Sequence, residues 1–171
     1  TISRAAIAAH VGITRATVSR LVDELINAGL VHDLSPASDT ARGRPGIPLA
    51  PRPGAAIGLG LEINISYLSA CAIDLSGEVL SLETIHGDFA GSAPAQAMGE
   101  LAELGRTVLN ATRVNSCTGS ATFVGSGLAL PGLVSSDALA LAPNLGWRNL
   151  PMTSLLEPIA ALDPVVVANE A

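Results

Sequence analysis

The chain has 171 residues, is 49% hydrophobic but only 2% aromatic, and carries a formal net charge of −6. That length holds one medium domain, or a small one plus part of another, around a core built from aliphatic side chains. No apolar run approaches the ~18 residues that span a bilayer, the opening T-I-S-R begins no stretch of signal length, and Cys71 and Cys117 have no Cys or His at metal-ligand spacing, so they read as free thiols of a cytosolic protein.

The charge is unevenly placed. Residues 1–52 carry six arginines against four acids, and residues 53–171 carry three arginines against eleven. A basic head on an acidic body is what a chain needs when only the head meets phosphate. Lysine is absent. The chain has no initiating Met and stops at V-V-A-N-E-A without a turn or polar tail, which reads as a sequence cut at both ends.

In chain order, Ser3 is placed to cap a short helix running to about His10, Gly12 breaks it, and Thr14 is the N-cap of a second helix. Val18, Leu21, Val22 and Leu25 recur at i, i+3, i+4, i+7 and predict one buried stripe. Gly29 ends this helix as a C′ glycine, and Leu30–Val31 begin a short strand. Opposite the stripe, Arg15, Thr17, Ser19 and Arg20 cluster near the helix start beside Thr14, with Asp23 and Glu24 further along. A helix N-terminus adds free N–H groups and partial positive charge. This is how a helix-turn-helix reads a major groove: Arg suits guanine edges and phosphates, and Thr and Ser suit phosphates or either base class. A two-helix hairpin with a solvated polar face is the plainer alternative.

Residues 33–54 are rich in Ser, Pro, Gly and Asp and read as a loop or β-wing followed by a linker. Within them A-R-G-R-P places Arg42 and Arg44 around a residue without a side chain, ahead of a proline that holds the backbone extended. Two readings stand. The strip is thin enough for a minor groove, where narrow A·T-rich segments attract arginine, or it is a linker whose arginines face solvent.

From Ala55 the texture changes to three successive strands, A-A-I-G-L-G-L-E-I, Y-L-S-A-C-A-I-D and G-E-V-L-S-L-E-T-I, with D-L-S-G-E as a tight turn between the last two. Residues 93–113 read as a helix with Met98, Leu101, Leu104 and Val108 on one face, and A-T-F-V-G-S-G-L-A-L as a buried strand ended by Pro131-Gly132. Thr153 to Ala161 reads as a helix, and Pro164 opens a last strand. Three meandering strands, a helix and further strands predict a mixed α/β layer. His10 and His32 read as surface residues, and Trp147 as a loop residue packed on the core or, alternatively, stacked on a sugar.

S-R-A-A-I-A-A-H-V-G-I-T-R-A-T-V-S-R-L-V-D-E-L-I-N-A-G-L-V, then G-R-P, G-L-A-L-P-G-L-V, L-A-P-N-L-G-W and A-N-E-A together resemble a transcriptional regulator of the ROK (repressor, open reading frame, kinase) family over nearly the whole chain. The resemblance implies an α+β chain: a winged helix-turn-helix followed by the first lobe of an actin-like, RNase-H-like α/β ATPase domain. The corresponding boundaries are 1–39 for the DNA-binding module, 40–54 for the wing end and linker, and 55–171 for part of the sugar-kinase-like lobe. Such regulators carry one more helix before the point where this sequence starts, and its absence is expected to leave Leu21 and Leu25 partly uncovered. Family kinases have an aspartate and a glycine-rich turn that receives ATP phosphates. Here Glu62 stands at the aspartate position, with Asn64 and Ser66 where glycine and threonine would help, which implies loss of ATP use and no catalytic residue. The sugar side matches at Gly132, Asn144, Asn169 and Glu170, the last replacing the kinases' catalytic aspartate. The DNA-contacting set is Thr14, Arg15, Thr17, Ser19, Arg20, Arg42 and Arg44.

The implied function is a cytoplasmic, sugar-responsive DNA-binding regulator, a repressor of carbohydrate genes, with duplex operator DNA and a small sugar or sugar phosphate as partners, no membrane, and a homo-oligomeric assembly. A sugar kinase with an added head is the enzyme alternative. No cofactor or metal is expected within the chain, because the family's zinc cysteines, and its sugar-binding Glu and His, would follow Ala171. Replacing Arg42 and Arg44 together by Ala is expected to weaken DNA binding most on A·T-rich flanks; equal loss on G·C-rich flanks in an anisotropy titration would make them plain phosphate contacts.

Overall fold

The computed structural model describes residues 2–34, 46–115 and 121–169. Its first unit begins with β1 (Ile2–Ser3), α1 (Arg4–Val11) and α2 (Arg15–Asn27), followed by β2 (Val31–Asp33) and β3 (Pro48–Pro51). The helix punctuation works as the sequence predicts. Ser3 Oγ accepts from the Ala6 amide and caps α1, Gly12 closes it at φ +75°, and Thr14 Oγ1 accepts from the Thr17 amide at the start of α2. At the end of α2 the amides of Gly29 and Leu30 donate back to the carbonyls of Ile26 and Leu25 around Gly29 at φ +74°. This is a Schellman closure, and the left-handed residue it needs is the glycine.

One expectation for this unit changes, and one is met as the resemblance implied. Pro48–Pro51, read as linker, is the central strand of a three-stranded sheet in the order β1-β3-β2. Proline is tolerated there because it occupies only the strand ends, where one missing N–H costs little. Between the prolines, Leu49 lies opposite both Ile2 and Asp33, and Ala50 opposite His32. The apolar stripe of α2 is also only half covered. Val18 and Val22 join Ala8 and Leu49 in a small core, whereas Leu21 and Leu25 are 39% and 42% exposed because no described element lies over them.

The second unit is a five-stranded sheet in the order β11-β7-β4-β5-β6, formed by β4 (Ala56–Ile63), β5 (Tyr67–Asp74), β6 (Val79–His86), β7 (Thr122–Leu130) and β11 (Val165–Asn169). β4, β5 and β6 meander antiparallel, while β7 and β11 run parallel to β4. Three consecutive strands followed by two parallel additions on the far side of the first is the mixed sheet expected for the kinase-like lobe. α3 (Pro94–Asn115) lies on one face, burying Met98, Leu101, Leu104 and Val108 against Leu59, Leu61, Leu68 and Leu128. Gly105 lets the helix approach closely: a Cβ there would stand 3.1–3.2 Å from Leu59, Leu61 and Leu162. A small antiparallel sheet of β8 (Leu133–Val134), β9 (Ala138–Ala142) and β10 (Trp147–Pro151) adjoins this layer, with α4 (Met152–Leu156) continuing as a 3₁₀ helix over Glu157–Leu162 in place of the single helix predicted.

β7, expected to be buried, is buried on one face only. Ser126, Leu128 and Leu130 point into the core, whereas Gly127 between them is exposed, and Val124, more than half exposed, is the extra residue where the pairing with β4 shifts register. Trp147 takes the packing role: it is buried, and its Nε1–H donates to the Ser92 carbonyl at 2.7 Å.

The two units are joined by a short connector held at both ends. The Arg52 amide donates to the Leu30 carbonyl, and the Thr122 and Leu75 amides donate to the Ala55 and Ala56 carbonyls. At its centre the Gly54 amide donates to Asp74 Oδ2 at 2.8 Å, while Asp74 Oδ1 accepts from the Ser76 amide, the Ser76 hydroxyl and the Glu78 amide. Asp74 is 5% exposed. Burial pushes its carboxyl pKa up, but the four hydrogen bonds outweigh this and hold it below the ordinary value of 3.8. The stabilisation is therefore complete above the unfolded-state value and is lost as pH falls through the folded one. Asp74→Ala is expected to destabilise the chain by about 2–3 kcal/mol at neutral pH, with the gap to wild type in urea melts closing below pH 3.8; a constant gap across that range would refute the assignment.

Candidate nucleic-acid interface and effector groove

The recognition face forms because α2 has its apolar residues on one side only. With Val18 and Val22 turned to the core, Thr14, Arg15, Thr17 and Arg20 are exposed and Ser19 is half-buried. Thr14 and Thr17 also meet through their hydroxyl oxygens at 2.9 Å, so the N-cap fixes two candidate contacts together. Arg15 makes no ion pair among the described residues, which leaves its guanidinium available at the positive end of the helix. Arg20 is bound to Glu24, one turn on. Arg42 and Arg44 lie outside the described residues.

The sequence reading missed what happens to the acids. Arg4, at the start of α1, reaches both Asp23 of α2 at 3.2 Å and Asp33 of β2 at 2.8 Å. The hydrogen bond that Arg4 donates to Asp33 raises the Arg4 pKa further, against an opposing desolvation. One cation thus ties helix to helix and helix to wing, and Asp23, Glu24 and Asp33 are each paired with an arginine. The polar face of α2 consequently presents less negative charge to an approaching phosphate backbone than its composition suggests.

In the lobe, the candidate residues gather where the parallel strands end. Asn169, the last residue of β11, is paired in register with Leu130 of β7, and Glu62 near the end of β4 with Ala129. Gly132 follows β7 at φ +152° and lies directly on β9: a Cβ there would fall 2.2 Å from the Leu141 carbonyl oxygen and 2.9 Å from Ala142 Cα. Only glycine fits. Asn144 follows Ala142 on an exposed 3₁₀ turn, Pro143–Leu145. Gly132 and Asn169 therefore lie at the C-terminal ends of two neighbouring parallel strands, where open α/β sheets place their ligands, with Asn144 two residues beyond the Ala142 that Gly132 touches. A groove of ≈ 390 Å³ opens beside Asn169, walled by Ser135, Ser136 and Val167. Glu170 lies outside the described residues.

At the β4–β5 turn the Tyr67 hydroxyl donates to Glu62 Oε1 at 2.5 Å. Asn64 N–H donates to the Tyr67 carbonyl, and none of Asn64, Ile65 or Ser66 has a positive φ. The turn thus carries a side chain at each of Asn64, Ile65 and Ser66 and no left-handed residue. Among the described residues, no group of three or more His, Cys, Asp and Glu side chains is placed to hold a metal ion. His32, expected on the surface, is half-buried, with its Nδ1 unpartnered.

A winged helix-turn-helix DNA-binding family matches residues 1–32. The xylose repressor of Caldicellulosiruptor bescii is 27% identical over 99% of this chain and 41% of its own length. A solved ROK-family transcriptional regulator, a homologue of the E. coli MLC protein, superposes on 98% of this chain and 41% of that one, with a TM-score of 0.65 and 25% identity. The chain is similar to ROK-family transcriptional regulators over nearly its whole length. It joins a winged helix-turn-helix to a mixed α/β lobe like part of a sugar-kinase domain, and spans about two fifths of the length of these two relatives. The ROK hexokinase of Thermus thermophilus shares the fold of the lobe, at a TM-score of 0.51 and 19% identity over 66% of this chain and 35% of that one.

Arg15→Ala is expected to lower DNA affinity and reduce the slope of log K against log salt by about one. Arg4→Ala should weaken binding through released acid charge and also lower the melting temperature. An unchanged salt slope for Arg15→Ala would remove Arg15 from the interface.

Proposed function

We propose that this chain works in a sugar-responsive transcriptional repressor of carbohydrate genes. It reads duplex operator DNA with the N-terminal face of α2 and senses a small sugar at the C-terminal edge of the lobe sheet. The observation that carries the reading is the recognition face itself. Thr14, Arg15, Thr17 and Arg20 are exposed at the start of a capped helix, and each acid beside them is paired with an arginine. The xylose repressors among the relatives support a sugar effector. Sugar hydroxyls are met by amide side chains that both donate and accept, which Asn144 and Asn169 offer; Glu170 would add a carboxylate.

The lobe is read as a sensor and not a kinase. The Glu62–Tyr67 hydrogen bond and the Cβ-bearing turn at Asn64–Ser66 leave no nest of backbone amides for ATP phosphates. Further sugar ligands and the family's zinc cysteines would come from beyond Ala171. The assembly is proposed to be a cytoplasmic homo-oligomer, in which sugar binding changes lobe orientation and so the spacing of paired DNA-reading heads. No described helix is long and apolar enough to cross a membrane.

The test is fluorescence anisotropy of the intact regulator on promoter DNA from the neighbouring sugar operon. Affinity is expected to fall with added salt and to respond to one sugar. Binding insensitive to salt and to every sugar tried would defeat the proposal, and ATP-dependent phosphorylation of a hexose by the intact protein would replace it with the kinase reading.

A further inference from the structure

The outer face of the wing sheet serves neither the DNA face nor the effector edge. Side chains alternate across a strand. Val31 packs with the helix core, so His32 is turned the other way, opposite Ala50. On that side lies a cavity of ≈ 480 Å³ whose wall includes Gly29, His32, Arg52, Gly54 and Thr122. Four parts of the chain converge there: the closure of α2, strand β2, the connector, and the start of β7.

The chemistry of the wall is one-sided. Arg52 makes no ion pair among the described residues, and the half-buried His32 imidazole forms part of the wall. No carboxylate of the described residues lines the cavity. Asp33, next to His32, is bound to Arg4, and Asp74, which holds Gly54, is committed to the connector and its own turn. The carbonyls of Glu24, Leu25 and Ile26 at the end of α2 already accept from Ala28, Leu30 and Gly29. An arginine with free donors beside an imidazole, in a partly enclosed site without a competing carboxylate, suits a small oxyanion, which the guanidinium fork binds by paired N–H···O bonds.

We infer that the cavity between the wing and the lobe binds a small oxyanion such as phosphate through Arg52 and His32. The site touches both units, so an occupant links the DNA-reading module to the sensor lobe at a place separate from the effector edge. The inference is independent of the sugar reading.

The experiment is an amide chemical-shift titration of the 171-residue chain with inorganic phosphate, against sodium chloride at matched ionic strength. Saturable shifts are expected at Gly29, Gly54 and Thr122 in phosphate only. Arg52→Gln should weaken the response at least tenfold and Arg52→Lys by less, because charge is kept while the fork is lost. Arg52 is exposed, so both variants should keep the wild-type melting temperature without phosphate. His32→Gln should also weaken the response. No saturable shift, an equal response in Arg52→Gln, or an equal response to chloride would overturn the inference. So would the same shifts produced by a duplex oligonucleotide and not by free phosphate, since that would assign the cations to a DNA backbone.

Discussion

A single buried carboxylate decides how the two halves of this chain meet. Asp74 sits at the end of β5, yet one of its oxygens holds Gly54, twenty residues earlier, while the other closes its own turn. A buried charge is tolerated only when its lone pairs are filled, and here four donors fill them. The connector is therefore clamped to the lobe's hairpin on one side, while the Arg52 amide fastens it to Leu30 at the end of the DNA-reading module on the other. A motion of β5 relative to the rest of the sheet has a short, hydrogen-bonded path to the wing. In a sensor-regulator such a path is a physical requirement, because a slack linker transmits no change of orientation.

The DNA-reading module solves a different electrostatic problem. Its helix carries acids next to the exposed residues at its start, which would repel phosphate if left free. Arg4 and Arg20 occupy those acids. Exposed pairs of this kind contribute little to stability, and their effect is on the field the helix presents. The fold thus separates Arg15, which makes no ion pair among the described residues, from Arg4 and Arg20, which neutralise the acids.

Local punctuation was legible in the sequence because each signal acts within one turn of chain. Ser3, Gly12, Thr14 and Gly29 each stand where their backbone requirement puts them, and the aliphatic spacing of 98–108 buried the predicted face. The misses have a common cause: partners far apart in sequence. Two prolines marked 48–51 as linker, and only pairing with both β1 and β2 makes it a strand. D-L-S-G-E reads as a turn, but nothing local announces that its aspartate also reaches Gly54. The Arg4 bridge spans 19 and 29 residues, and the Tyr67–Glu62 hydrogen bond depends on a hairpin whose register had first to form. The exposed side of β7 was missed because its apolar residues do not say that only one face is covered.

The prolines that bracket β3 have a consequence for the accuracy of assembly. A strand four residues long between two flanking strands could slide by one position, and a slide would turn Leu49 out of the small core and Ala50 toward it. Pro48 and Pro51 prevent this, since either one, moved inward, would set a nitrogen without hydrogen against a ladder carbonyl. The same two residues that disguise the strand in the sequence act as its register key, and the wing seats in one alignment only.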